Sequence, residues 1–172
     1  WKGFGELDDF IGQRYTLFAR GITYLEMKST EEAQRTADEL KEMIEAGMNK
    51  KEMRYYHHLI GRLELGRENY SKAIECLKKA ISFLPYESDP DNDDHAMFIE
   101  PLALAYFKAG NLEQARLEYE KIISLTSGRL GFGDIYAKSF YMLGKIYEQK
   151  DFKGKAIEHY EKFLDLGKDV DL

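Results

Sequence analysis

Apolar residues recur at steps of three and four along most of this chain, a spacing that places them on one face of an α-helix. Short polar breaks interrupt the pattern, so the sequence reads as successive pairs of amphipathic helices joined by turns. The clearest stripe consists of Tyr70, Ala73, Ile74, Leu77, Ala80, Ile81 and Leu84. This periodicity predicts an all-α protein.

The helix pairs repeat. A small residue is followed twelve positions later by Ala four times, and the successive units begin 40, 42 and 41 residues apart. We expect these small residues to face one another and let the two helices of a pair approach closely. The pairs are Gly21 and Ala33, Gly61 and Ala73, Ala103 and Ala115, and Gly144 and Ala156.

We therefore predict a single repeat domain over 1–172, with about eight helices in four hairpins at about 14–47, 54–87, 96–129 and 137–170. One hairpin cannot bury its apolar face alone, so the hairpins must stack on each other. Residues 1–13 carry a further apolar run and are expected to extend the first helix or to cap it.

Local signals place some helix ends. Ser29 or Thr30, followed by acidic residues, is typical of the start of a helix. Gly110 and the Asn after it predict the break inside the third unit. Pro101 lies within the first helix of that unit, and the apolar spacing before it favours a long, kinked helix.

Three segments resemble the tetratricopeptide repeat family: "LIGRLELG…NYSKAIECLKKAISFLP", "LALAYFKAGNLEQARLEYEKIISL" and "MLGKIYEQKDFKGKAIEHYEKFLDL". The family's period is about 34 residues, so this is a long-period variant with extra residues at 47–51, 86–94 and 127–133. The resemblance implies a right-handed α-solenoid and a non-catalytic scaffold that binds a protein or peptide. The third and fourth units also resemble repeat segments of larger bacterial multidomain regulators.

In that family the first helices of the hairpins line a concave groove, and the resemblance selects the groove positions here. Aromatic and basic groups on such a surface suit partner binding, although an aromatic at helical spacing is more often a core residue. The expected groove residues are Phe18, Ile22, Tyr55, His58, Arg62, Glu100, Leu104, Lys108, Tyr141 and Lys145. The Asn expected of a carboxylate clamp is missing from every unit, which disfavours a receptor for chaperone tails.

Composition narrows the classes of partner. The net charge of −6 argues against a nucleic-acid binder, which needs a basic surface. No apolar run approaches the ~18 residues of a membrane span. Cys76 is the one cysteine, so it cannot form an intrachain disulfide and is expected in the core. The chain begins with Trp1, and we expect it to be a piece of a longer, cytoplasmic protein.

No motif predicts catalysis, and we expect neither an enzyme nor a cofactor. In the acidic segment 89–100, Asp89, Asp91, Asp93 and Glu100 have the spacing of a calcium loop, but Asp94 replaces the turn glycine. A solvated linker that caps the next helix is favoured over a calcium site. The four histidines lack metal-site spacing, and the glycine-rich stretch 128–133 reads as a connection. The alternative to a partner-binding scaffold is a structural module that self-associates.

Overall fold

The computed structural model describes residues 3–85, 94–125 and 132–168, with side chains described for 12–85, 94–125 and 132–167. Every regular element in these ranges is helical, which confirms the all-α prediction. The helices are α1 (Gly3–Glu26), α2 (Thr30–Ala46), α3 (Met53–Gly66), α4 (Tyr70–Ser82), α5 (His95–Lys108), α6 (Leu112–Ser124), α7 (Gly133–Gln149) and α8 (Lys153–Lys168), with a 3₁₀ turn at Lys50–Glu52.

Successive helices pack in pairs, α1 with α2, α3 with α4, α5 with α6 and α7 with α8, as the repeat predicts. The chain divides into two compact units, Trp1–Leu84 and Pro85–Leu172. Within the first unit, α2 packs on α3, and within the second, α6 packs on α7. The second helix of one hairpin therefore buries its free face against the first helix of the next.

Each hairpin turns through a left-handed residue at the same repeat position, seven residues after the small residue of the first helix. The φ angles are 58° at Lys28, 63° at Glu68, 78° at Gly110 and 59° at Asp151. In each turn the next residue donates its N–H across the helix end, as Asn69 does to the Glu64 carbonyl at 2.9 Å. These bonds satisfy carbonyls that a helix end would otherwise leave open.

The small residues act differently from the expectation. A Cβ added to Gly61 would lie 2.5 Å from Cγ of Leu77, and one added to Gly144 would lie 2.5 Å from Cε1 of Tyr160. At Gly61 and Gly144 the missing side chain thus makes room for a large residue of the partner helix, four positions after the Ala of the repeat. At Gly21 it makes room for Leu59 of α3, in the next hairpin. Filling a gap with one large side chain buries more apolar surface than pairing two small ones.

Buried side chains form a core in each unit. In the first unit a buried ion pair between Arg14 and Glu52 adds a polar link from α1 to the 3₁₀ turn. The largest fully buried apolar side chains are Leu40, Ile44, Leu59, Leu63 and Leu77 in the first unit and Phe98, Ile99, Tyr119, Ile122, Leu143 and Ile146 in the second.

Local predictions had mixed outcomes. Helix α2 begins at Thr30 as predicted, but the Ser29 side chain makes no capping hydrogen bond. Helix α5 begins at His95 and runs through Pro101. The calcium-loop spacing set aside above involves Asp89, Asp91 and Asp93, which lie outside the described residues, as do 128–131 of the glycine-rich connection.

Candidate functional site

In the second unit, the predicted groove residues lie on two neighbouring first helices, α5 and α7. Glu100 and Leu104 are partly buried on α5, and Lys108 is exposed near its end. The ammonium of Lys138 on α7 lies 2.6 Å from a carboxylate oxygen of Glu100. This ion pair neutralises the Glu100 carboxylate and links α5 to α7.

Lys145 on α7 lies between two aromatic rings. Its Nζ is 5.6 Å from the ring centroid of Tyr141 and 6.0 Å from that of Phe107 on α5. Within the described residues, neither Lys145 nor Lys108 has a carboxylate within ion-pair distance. A cation held over ring faces can attract an anionic group while the rings give apolar contact to its neighbours, and Lys108 adds a second positive charge. We call Leu104, Phe107, Lys108, Tyr141 and Lys145 the aromatic-lysine surface.

The Tyr141 ring is held from behind by α8. Its centroid is 5.9 Å from that of Tyr160 and 5.4 Å from that of Phe163, yet 39% of the residue remains exposed. The Tyr160 hydroxyl donates to Glu148 at 2.8 Å. Burial, followed by this carboxylate, raises the pKa of Tyr160 to about 12. Tyr141 is therefore a positioned, partly open ring, which loses little side-chain entropy when a partner covers it.

In the first unit three of the predicted residues are buried. Phe18 of α1 packs on Tyr55 and on the edge of His58, both of α3, at centroid distances of 4.7 and 5.5 Å. Burial, and then the charge of Arg62, lowers the pKa of His58 to about 3, so its imidazole is neutral at physiological pH. In this structure the three rings form a contact between two hairpins.

The other two predicted residues of the first unit are partly accessible. Ile22 on α1 is half-buried. The Arg62 guanidinium lies 2.5 Å from a carboxylate oxygen of Glu26, so its charge is already matched. The accessible and unmatched chemistry among the predicted positions therefore lies in the second unit.

A polar network between α6 and α7 escaped sequence reasoning. Arg116 contacts Glu113 and Glu120, while Lys150 lies 2.7 Å from Glu113 and the Tyr147 hydroxyl donates to Glu120. The spacing of the two acids and the arginine signals ion pairs along one helix. The spacing does not show that Tyr147 and Lys150 of the next hairpin contact the same two acids, so it predicts only part of the network.

The described residues contain few other groups that could form a functional site. No group of three His, Cys, Asp or Glu side chains in 3–85, 94–125 and 132–168 is arranged to hold a metal ion. None of the helices seen there is long and apolar enough to cross a bilayer. Burial, and then Glu75, raises the pKa of the Cys76 thiol, which therefore stays protonated near neutral pH.

A family model described as tetratricopeptide repeat matches residues 55–83, 102–128 and 137–168. These segments lie in the second, third and fourth predicted units, where the resemblance was most specific. No curated protein matches the chain.

Three solved structures resemble most of the chain. The structure titled "Crystal structure of MamA" is 22% identical, with 91% of this chain and 79% of that chain covered and a TM-score of 0.65. The "MamA RS-1 ArsTM double mutant" is 20% identical, with coverages of 92% and 77% and a TM-score of 0.64. The apo form of RapI is 14% identical, with coverages of 93% and 58% and a TM-score of 0.75. At these identities the likeness shows the helical-repeat fold alone.

Proposed function

We propose, from the premise that this chain belongs to the tetratricopeptide repeat family, that it is a non-catalytic scaffold holding a protein or peptide partner on the inner faces of its first helices. The family's fold is generally an interaction scaffold. The aromatic-lysine surface on α5 and α7 is the part of those faces that we assign to the partner.

The observation that carries this proposal is the position of Lys145. Its ammonium lies over the Tyr141 and Phe107 rings, with no carboxylate of the described chain beside it. A cation held between rings is already partly desolvated and fixed in place, so a carboxylate that approaches it meets a preorganised partner. Lys108 extends the positive charge along α5. The surface therefore suits a segment that carries both acidic and apolar side chains.

Selection from a random peptide library tests this partner chemistry directly. Random peptides displayed on phage are selected on the immobilised chain, and the affinity of a recovered peptide is measured by fluorescence anisotropy. We expect recovered peptides to be rich in Asp, Glu and aromatic residues. We also expect Lys145→Glu and Tyr141→Ala each to weaken binding at least tenfold, or about 1.4 kcal/mol.

Lys162→Glu is the matched control, because Lys162 is an exposed lysine of the same unit on α8. It makes the same change in net charge as Lys145→Glu and should leave the affinity within about twofold. If both lysine variants lower the affinity equally, binding reflects overall charge and the assignment of this surface is wrong. A selection that recovers only basic peptides would contradict the assigned partner chemistry.

A further inference from the structure

Two large apolar side chains on the outer face of α8 are exposed to solvent. Ile157 is 58% exposed and Leu164 is 60% exposed, and they lie seven residues apart on the helix. Glu161 lies between them on the same side of the helix and is also exposed. Two turns of helix thus present an apolar pair with one carboxylate at its centre.

In the previous hairpin, formed by α5 and α6, the equivalent face of the second helix packs on the next helix. Counting from the Ala of each second helix, the positions of Ile157, Glu161 and Leu164 correspond to Arg116, Glu120 and Ile123 of α6. Helix α6 packs on α7, these three residues are partly buried, and Glu120 accepts a hydrogen bond from Tyr147 at 3.2 Å.

In the first unit one of these positions packs on the next hairpin in the same way. Lys41 of α2 stands at the Leu164 position, and its ammonium lies 5.5 Å from the ring centroid of Tyr56 on α3. This face of a second helix is therefore the one that stacks on the next hairpin.

Helix α1 offers the surface that such a face would meet. Counted from the small residue of each first helix, Tyr24 of α1 is equivalent to Tyr147 of α7. Met27 is equivalent to Lys150 and is 67% exposed. Thr16 is likewise equivalent to Tyr56 of α3, the residue of the second hairpin on which Lys41 of α2 packs. A depression of about 460 Å³ opens here, lined by Gly12, Gln13, Thr16, Leu17, Glu39 and Met43.

We propose that copies of this chain associate head to tail, with α8 of one copy seated on α1 of the next. Leu164 enters the depression beside Thr16, and Glu161 accepts a hydrogen bond from the Tyr24 hydroxyl, as Glu120 does from Tyr147 within the chain. The contact uses outer helix faces and leaves the inner faces to the partner, so it goes beyond the proposed scaffold role.

A symmetric α8-to-α8 contact fits less well. It would place the Glu161 carboxylates of two copies near one another at the centre of the apolar pair, and like charges in a partly desolvated contact repel. The head-to-tail contact joins two different surfaces, so each added copy exposes a fresh end and growth is open-ended.

Sedimentation velocity over a hundredfold range of concentration tests this arrangement. We expect the weight-average sedimentation coefficient to rise beyond that of a dimer. Leu164→Glu blocks the tail and Thr16→Glu blocks the head, and each variant alone should sediment as a monomer. An equimolar mixture of the two should form a complex of one copy each and grow no further, because each variant keeps one working surface.

Leu117→Glu is the control, since Leu117 is an exposed leucine of α6 outside the stacking positions, and it should assemble as wild type does. A wild-type monomer at every concentration would overturn the proposal. A wild-type assembly that stops at a dimer and is lost with Leu164→Glu but kept with Thr16→Glu would also overturn it, in favour of symmetric α8 pairing. Circular dichroism confirms that each variant is folded.

Discussion

The hydroxyl of Tyr147 on α7 donates to a carboxylate oxygen of Glu120 on α6 at 3.2 Å, and so joins two successive hairpins. Arg116 on α6 holds that carboxylate from the other side, with its Nη1 2.5 Å away. Burial, and then Glu120, raises the pKa of Tyr147, which keeps the phenol protonated as a donor. The bond thus adds direction to a stacking contact that apolar burial alone leaves unspecific.

Removal of this bond should loosen the second unit. Tyr147→Phe keeps the ring and removes the donor, and we expect it to lower the free energy of unfolding by about 0.5–1.5 kcal/mol. Urea denaturation measures the change. Tyr136→Phe, which removes the hydroxyl of another partly buried tyrosine of α7, is the control and should change stability by less than about 0.5 kcal/mol. Equal losses in the two variants would mean that the Glu120 bond contributes nothing specific.

Glu64 is a buried carboxylate that closes the turn between α3 and α4. It accepts hydrogen bonds from Arg67, Asn69 and Lys72 at 3.0, 2.8 and 3.1 Å. Burial opposes its ionisation, but these donors outweigh burial and lower the pKa of the Glu64 carboxyl. We expect Glu64→Gln to cost about 1–3 kcal/mol of stability at neutral pH.

The pH dependence of that cost has a definite sign. Because the folded pKa of Glu64 lies below its unfolded value, the stabilisation is complete above the unfolded pKa and is lost as the pH falls through the folded pKa. The difference in unfolding free energy between wild type and Glu64→Gln should therefore shrink on acidification. Glu75→Gln, at an exposed site on α4, should show no such convergence. A difference that stays constant down to about pH 2 would refute the role of the charge.

Substitution of a left-handed turn residue by glycine should increase the stability of the protein. Lys28 adopts φ 58°, a conformation that strains a residue with a Cβ. Lys28→Gly should raise the free energy of unfolding by about 0.5–1 kcal/mol, because relief of strain exceeds the entropy cost of glycine. Gly110→Ala reverses the change at the same repeat position, where φ is 78°, and should cost about 1 kcal/mol. Thermal melting measures both variants, and a shift of the same sign in the two would contradict the argument.

Two glycines of α3 should respond in opposite ways to alanine. Gly61→Ala places a Cβ 2.5 Å from Leu77 Cγ and should cost about 1–3 kcal/mol through overpacking. A Cβ added to Gly66, at the end of the same helix, would have no atom within 4 Å apart from its chain neighbours and the backbone of its own helix. Gly66→Ala should be neutral or stabilising by up to about 1 kcal/mol, since alanine favours helix. Denaturation midpoints compare them, and similar losses would show that crowding at Gly61 is not decisive.

Salt should distinguish the two proposed contacts. Partner binding at Lys145 and Lys108 depends on charge, so we expect the affinity for an acidic peptide to fall several-fold between about 50 and 500 mM NaCl. Head-to-tail association depends mainly on Leu164 and Ile157 and should change much less over that range. Anisotropy titrations and sedimentation in the same buffers provide the comparison. The reverse pattern would argue against both assignments.

Sequence reasoning succeeded where the signal was periodic and local. The apolar spacing around Ala73 predicted α4, and the glycine at 110 predicted a turn, because helix faces and left-handed turns follow from neighbours in the chain. It missed the equivalent turns at Lys28, Glu68 and Asp151, since their residue types do not favour φ > 0. The predicted unit boundaries and groove contacts remain predictions.

The amino-acid sequence by itself determined that this chain folds as helical hairpins of the tetratricopeptide type, because a repeat that cannot bury its own apolar face must stack. The tertiary structure alone decided which aromatic residues are available to a partner. Phe18 and Tyr141 stand at the same repeat position, three residues before the small residue, yet Phe18 lies buried against Tyr55 while Tyr141 stays partly open beside Lys145. Exposure depends on which hairpin lies next to a ring, and no pattern along a single helix contains that information.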